Sequence, residues 1–161
     1  MAFDAFLKVD GIPGGSGDER HKEWIEVLSF NWGVTQPRTP MGLGGGEQTT
    51  PAHQHFSIVK AVDRASTGLF KACCFAEPVK EVTLELCRAT GDKQKYMSYK
   101  FTDVIVASWR PQGSSRGDQP FPSEQVAFSY REVELSYTET DPKTGRPKGD
   151  MKVSFNLAKT K

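Results

Sequence analysis

The segment 24–34 constrains the fold more than any other stretch of this chain. From Leu28 to Val34 every second residue is apolar, which is the pattern of a β-strand that buries one face. Ile25 and Val27 are apolar in the opposite phase, so the alternation slips by one residue within the segment. Such a slip indicates a β-bulge, which bends a strand as a curved or closed sheet requires. The segment therefore predicts one long, bent strand with Leu28 on its buried face.

The two faces of this predicted strand differ in chemistry. Phe30 and Trp32 belong to the buried phase, whereas Ser29 and Asn31 alternate with them on the other face. Small, uncharged polar side chains suit a wall that contacts water. They do not supply the clustered acids and bases that acid/base catalysis needs.

Period-2 alternation and one helical pattern account for most of the remaining chain. Further strands are expected at 3–9, 56–62, 79–87, 96–109, 126–137 with a second phase slip at Arg131-Glu132, and 151–157. A short helix is expected over 69–76, with Ser66 and Thr67 as cap residues before it and Pro78 after it. Seven or eight strands, one helix and no repeating βα unit predict a mainly β fold, an antiparallel barrel or sandwich with the short α-helix packed on the outside.

Length and charge bound the organisation and the partners. At 161 residues, one domain spanning 1–161 with its own core is the simplest organisation. The formal net charge is +1 and no run of like charge is present, which argues against nucleic acid as a partner. No apolar run approaches the roughly 18 residues of a membrane span, so no membrane insertion is expected. The amino terminus lacks the pattern of a signal peptide, and we expect synthesis in the cytoplasm without a cleaved leader.

Residues 36–51 interrupt the strand pattern with three prolines and four glycines. A structureless loop of this length in a compact domain is uncommon and is usually functional or flexible. We expect a long extended loop that becomes ordered against another molecule.

Side chains that could bind a metal or carry catalysis are few. The best metal candidate is the pair His53 and His55, because residues i and i+2 of a strand point to one face. A third ligand is missing, since the remaining histidine, His21, lies in a loop-to-strand region. The glycine run at 42–46 lacks the Lys-Ser/Thr that follows a phosphate-binding loop. The residues therefore predict no catalytic residue, no cofactor and no metal, and a small β-barrel metalloenzyme using the histidine pair stays open as an alternative.

The three cysteines, Cys73, Cys74 and Cys87, form no disulfide framework and are expected to be buried free thiols. A second alternative is a plain ligand-binding barrel, which would need a closed apolar cavity inside a monomer.

Nine segments, spread over nearly the whole chain, carry a resemblance to a known family. They are 6–12, 14–16 with His21, 25–33, 56–60, 63–66, 69–73, 82–85, 99–106 and 124–137. Taken in this order they resemble the haemolysin-coregulated protein (Hcp) family, the tube proteins of bacterial type VI secretion. No single motif among them is diagnostic, whereas the ordered set across the full length is specific.

The resemblance implies an antiparallel two-sheet β-barrel with one short helix on its outside. It implies that six copies form a homo-hexameric ring and that rings stack into a tube like that of contractile phage tails. A sheath would drive the tube, tipped by a spike, out of the bacterial cytoplasm, so export would need no signal peptide. The ring lumen would hold effector proteins, and no enzymatic activity is implied.

The resemblance also assigns site residues. In that family the polar positions between the aromatic residues line the pore, and the matching positions here are Ser29 and Asn31. Asn31 is larger than the small polar residue expected there, which bears on the cargo that fits. The glycine-rich loop supplies candidates for contacts with a neighbouring subunit or a stacked ring. These candidates are Met41, Leu43, Gly44, Gly45 and Gly46.

Overall fold

The computed structural model describes residues 3–37, 51–89, 93–118 and 120–157. Within these ranges the chain forms eleven strands and one helix. In chain order they are β1 (Phe3–Val9), β2 (Ile25–Val27), β3 (Ser29–Asn31), β4 (Val34–Thr35), β5 (Ala52–His53), β6 (Phe56–Ala61), α1 (Ser66–Cys74), β7 (Pro78–Arg88), β8 (Lys95–Gln112), β9 (Ser123–Ser129), β10 (Glu132–Thr140) and β11 (Pro147–Asn156).

Nine of these strands form one antiparallel sheet that curls on itself. Its hydrogen-bonded order is β2-β1-β7-β8-β9-β6-β3, and the hairpin β10–β11 extends it from the other edge of the first half of β8. The strands at the two ends of this order, β2 and β3, are separated in the chain by Leu28 alone. The ends of the sheet must therefore lie side by side, which gives a barrel-like fold. The mainly β, antiparallel prediction is confirmed, with the ladder open between β2 and β3.

The predicted long strand at 24–34 is in fact two short strands that have different partners. Ile25 on β2 pairs with Leu7 on β1, whereas Phe30 on β3 pairs with Ile58 on β6. The intervening Leu28 is 64% exposed, so its predicted place on the buried face is wrong. The phase slip is real, but its cause is a change of pairing partner rather than a bulge within one ladder.

The 18-residue strand β8 connects the two sides of the sheet. Along one edge its first half pairs with β10, at Met97 to Thr102, and its second half pairs with β9. Asp103 between the halves has a positive φ of 54°, and the register shifts again between Val106 and Ser108. The second phase slip predicted from sequence, near residue 131, coincides with the break between β9 and β10 that faces this bend.

Apolar side chains from every layer of the curled sheet meet in one core. The largest fully buried apolar side chains include Phe56, Phe101, Phe128, Leu7, Ile25, Ile58, Leu69 and Leu84. Burial of such side chains stabilises the fold by about 1.5–3 kcal/mol each relative to exposure. The Phe56 ring stacks on Phe101 with centroids 4.5 Å apart, which ties β6 to β8 across the interior.

Helix α1 packs on the outside of the sheet, as predicted. Leu69 and Ala72 are buried beneath it, whereas Phe70 is half exposed and lies against Trp109. The cap prediction is wrong, because Ala65 holds the cap position and Ser66 is the first helical residue. No helix in the described residues is long and apolar enough to cross a membrane.

A buried ion-pair network fixes the start of this helix. Lys60 and Glu124 are both fully buried, and Lys60 Nζ lies 2.9 Å from Glu124 Oε1 and 2.9 Å from Asp63 Oδ1. The Ser66 hydroxyl donates to Glu124 Oε1, and the Trp109 indole N–H donates to Glu124 Oε2. Because every charged group of this network has a partner, the desolvation cost of burying it is offset.

Candidate functional site

Ser29 and Asn31 lie exposed on the outer face of β3, as the alternation predicts. Residues directly opposite each other in a ladder share a face, so the register defines their neighbours. The outer face continues across β6, β9 and β8 through Ser57, Val59, Ala127, Gln125, Ser108 and Arg110. We call these eight residues the polar face. Its side chains are small or uncharged apart from Arg110, so it offers hydrogen bonds without a strong field.

The opposite side of β3 anchors the polar face to the core. Phe30 and Trp32 are half-buried there, and Trp32 packs edge-on against Phe101 at 5.6 Å. The Trp32 indole N–H donates to the Tyr130 hydroxyl at 2.5 Å, which satisfies its one donor. Burial raises the pKa of Tyr130, and the hydrogen bond from Trp32 opposes that rise. These contacts hold the strand that carries Ser29 and Asn31 in a fixed orientation.

An open groove of about 880 Å³ adjoins one end of the polar face. Leu28, between β2 and β3, lines it together with Val59 and Ala61 of β6, and Phe121 and Pro122 line it from the loop before β9. None of the described residues that line the groove is charged. Leu28, which the sequence wrongly predicted to be buried, therefore lines this surface groove.

A second surface lies on the hairpin β10–β11. Leu135 pairs with Val153 and Tyr137 pairs with Met151, so the four side chains share one side of the hairpin, which we call the hairpin face. Tyr137 is 43% exposed, Met151 62% and Val153 72%. The outer edge of β11 pairs with none of the described strands. Contiguous exposed apolar side chains beside an open strand edge are typical of a protein interaction site.

The two histidines of the predicted pair have different environments in the structure. His53 lies in β5 with its ring stacked on Phe155 at 5.0 Å, whereas His55 is exposed. Among the described residues, no three or more His, Cys, Asp or Glu side chains group as metal ligands. Burial lowers the pKa of His53, which is the response of an imidazole inside a packed aromatic cluster. The loop candidates Met41, Leu43, Gly44, Gly45 and Gly46 lie outside the described residues.

His21 has a structural role that the sequence did not indicate. It is buried, with Nδ1 2.8 Å from Asp18 Oδ2 and Nε2 2.9 Å from Glu85 Oε1. Each ring nitrogen therefore lies within hydrogen-bonding distance of one carboxylate oxygen, and the two carboxylates hold the ring from both sides. The hydrogen bond from His21 lowers the pKa of Asp18. This cluster joins the loop before β2 to β7 and is a structural element, because its three members satisfy one another.

The cysteines divide into two environments. Cys87 is buried, and desolvation followed by the charge of Glu85 raises its pKa to about 11. Cys73 is half-buried, and Cys74 is exposed on the last turn of α1, so the prediction that all three are buried is wrong. Leu69 and Ala72 are buried against the sheet and Cys73 packs partly against the core, whereas Cys74 lies on the solvent side of the helix.

Comparison with known proteins decides the family. A sequence profile described as "Type VI secretion system effector, Hcp" matches residues 6–137, well over half of the chain. The chain belongs to the Hcp family of type VI secretion proteins. The match contains Ser29 and Asn31 and extends through most of β10.

Individual relatives agree with this assignment. Protein hcp1 of Pseudomonas aeruginosa is 28% identical over 158 residues, covering 98% of this chain and 96% of that protein. A second protein of the same organism, named "Major exported protein", is 28% identical over 127 residues, covering 74% of this chain and 72% of that protein. A solved structure described as "Structure of a type six secretion system protein" is 32% identical, covers 99% of both chains and superposes with a TM-score of 0.90. Proteins of this family are secreted, and the chain is an Hcp protein of the type VI system.

Proposed function

We propose that the chain is the ring-forming tube subunit of a type VI secretion system and that its ring carries effector proteins in the lumen. The single observation that carries this proposal is the pairing of two unlike surfaces on one curled sheet. One is the polar face around Ser29 and Asn31, and the other is the exposed apolar hairpin face.

The hairpin face supports ring formation. A ring needs a heterologous contact, in which one patch of a subunit meets a different patch of the next. The hairpin extends the sheet from β8, with Met151 and Val153 exposed and the edge of β11 open among the described strands. An exposed apolar surface of this kind is stabilised when a neighbouring copy covers it. Six copies, as the family resemblance implies, would close the ring.

The chemistry of the polar face suits the wall of a lumen. A bore that passes proteins must bind them weakly enough to release them, and water-mediated hydrogen bonds to small polar groups allow that. Ser29 and Asn31 supply such groups, together with Ser57 beside Asn31 on β6 and Ser108 in the same row, two strands further along on β8. We infer that the uncharged groove at the end of this face lies at the rim of the bore.

We assign the stacking of rings to the segment 36–51, which the sequence predicts to be a loop. Met41 and Leu43 are its apolar side chains, and Gly44, Gly45 and Gly46 let its backbone approach a neighbouring surface closely. Ordering such a loop costs conformational entropy, which contacts made on assembly would offset. The remaining partners in this proposal are the sheath and spike of the apparatus and the cargo effectors. In this proposal residues 1–161 act as one non-enzymatic domain that the system exports from the bacterial cytoplasm.

Light scattering after size exclusion tests the ring. We expect a particle of six times the chain mass of 17.9 kDa, with an open centre in negative-stain images. Val153→Arg places a charge on the hairpin face and should shift the particle to monomer while leaving the fold intact, because the side chain is 72% exposed. The matched control is Ser154→Arg on the opposite side of the same strand, which should keep the ring. A monomeric wild type, or equal behaviour of the two variants, would contradict the role of the hairpin face.

A further inference from the structure

The strands β4 and β5 form a two-stranded ladder of their own, fastened to the main sheet by a few side chains. Val34 pairs with His53, and the Gln54 amide N–H donates to the Gly33 carbonyl at 3.0 Å. The Tyr130 hydroxyl donates to the Gln54 carbonyl at 3.0 Å, which attaches this ladder to the turn between β9 and β10. We call β4 and β5 together the stem.

His53 is the side chain of the stem that packs most closely on the body. Its ring stacks on Phe155 of β11 with an interplanar angle of 23° and lies edge-on to Tyr130. Its Nδ1 is 3.4 Å from the Tyr130 oxygen, a long contact, and the Tyr130 hydroxyl donates to the Gln54 carbonyl. The Nε2 atom is buried and has no hydrogen-bond partner among the described residues.

This environment accepts a neutral imidazole and penalises a charged one. A protonated ring needs an acceptor at each nitrogen, and Nε2 has none in the described structure. Among the described residues whose contacts with the ring are resolved, Tyr130 is titratable, while Val34 on β4 and Phe155 on β11 are apolar. Burial is the cause of the lowered pKa of His53, so the packed position disfavours the proton.

We propose that His53 is a pH-sensitive latch, which holds the stem against the β10–β11 hairpin when neutral and releases it on protonation. When the stem opens, the imidazole reaches water and takes up a proton with its ordinary pKa of 6.5. Proton uptake by the open form then shifts the equilibrium toward opening as pH falls through and below that value. The latch is a property of this fold and stands independently of the proposed tube function.

The size of the response has an upper limit. At pH 5.0 the protonated form of an exposed imidazole with a pKa of 6.5 exceeds the neutral form about thirtyfold. The population of molecules with an open stem therefore rises by at most about thirtyfold relative to pH 7.5. Residual protonation of the closed form reduces this factor.

Amide hydrogen exchange of the full-length protein tests the latch. The Gln54 amide reports the stem, and the Leu28 amide, bonded to the Val59 carbonyl at 2.8 Å, reports the body. After correction for intrinsic exchange, we expect Gln54 to open several-fold to thirtyfold more at pH 5.0 than at pH 7.5, with a much smaller change at Leu28. His53→Phe keeps an aromatic ring without a titrating nitrogen and should abolish the change, whereas His55→Phe, on the exposed neighbour, should retain it.

Equal stem protection of the wild type at both pH values, or the same acid response in His53→Phe, would overturn the proposal. If His53→Phe does not fold, an NMR titration of the wild-type imidazole decides the question. A His53 midpoint below 6.5, with Gln54 exchange rising as the pH falls toward it, supports the latch. A midpoint at or above 6.5 overturns it.

Discussion

Removing the buried cation Lys60 should destabilise the fold strongly. Lys60→Met keeps the aliphatic length of the side chain but leaves Glu124, which is fully buried, with a charge facing Ser66 and Trp109 only. Breaking a buried ion pair by deleting one partner typically costs about 3–5 kcal/mol. For a domain of this size each kcal/mol shifts Tm by about 2–4 °C, so a decrease of about 6–20 °C is expected. Thermal unfolding followed by circular dichroism measures it.

Two further variants separate the charge effect from lost packing. Combining Lys60→Met with Glu124→Gln removes the unpaired charge, while the carbonyl oxygen of the new side-chain amide can still accept from the Trp109 indole, so part of the loss should be recovered. Lys71→Met removes an exposed lysine 3.8 Å from Glu77 and should change stability by less than about 0.5 kcal/mol. A loss below about 1 kcal/mol in Lys60→Met, or no recovery in the double variant, would refute the reasoning about buried charge.

Three further predictions concern the surfaces and the thiols. Asn31→Arg should keep the ring but lower the amount of co-purified effector, because a long charged side chain would narrow and polarise the bore. An unchanged amount of effector would refute the assignment of Asn31 to the lumen. Met41→Ser with Leu43→Ser should keep the ring mass but shorten the tubes seen by electron microscopy, and tubes of normal length would contradict the stacking role. Iodoacetamide at pH 9 should label Cys74 at least about tenfold faster than Cys87, because burial raises the Cys87 pKa to about 11 and shields its sulfur from the reagent. Equal labelling of the two cysteines, measured by mass spectrometry, would refute this.

Local alternation predicted correctly which side chains of β3 face outward. Ser29 and Asn31 are exposed and Phe30 is half-buried, as their period-2 positions require. The pattern failed at Leu28, because the residue lies where the chain passes from the β1 ladder to the β6 ladder. A change of partner depends on contacts between residues that are distant in sequence, and the alternation within one segment does not reveal those contacts.

Long-range polar contacts were likewise beyond the sequence. Asp18 and Glu85 are far apart along the chain, and only the fold brings both carboxylates to the His21 ring. The apolar phase of β11 was evident, yet its exposure on the hairpin face was not, because alternation identifies a shared face without saying what covers it. Exposed apolar positions in a correctly predicted strand are therefore the ones to suspect of binding a partner.

The most direct test of the proposed tube subunit is an electron cryo-microscopy reconstruction of the purified wild-type particle. The account predicts a six-fold ring in which Ser29 and Asn31 face the central opening and the hairpin face is covered by the adjacent copy. A monomer, or a ring with Ser29 and Asn31 on its outer rim, would contradict it.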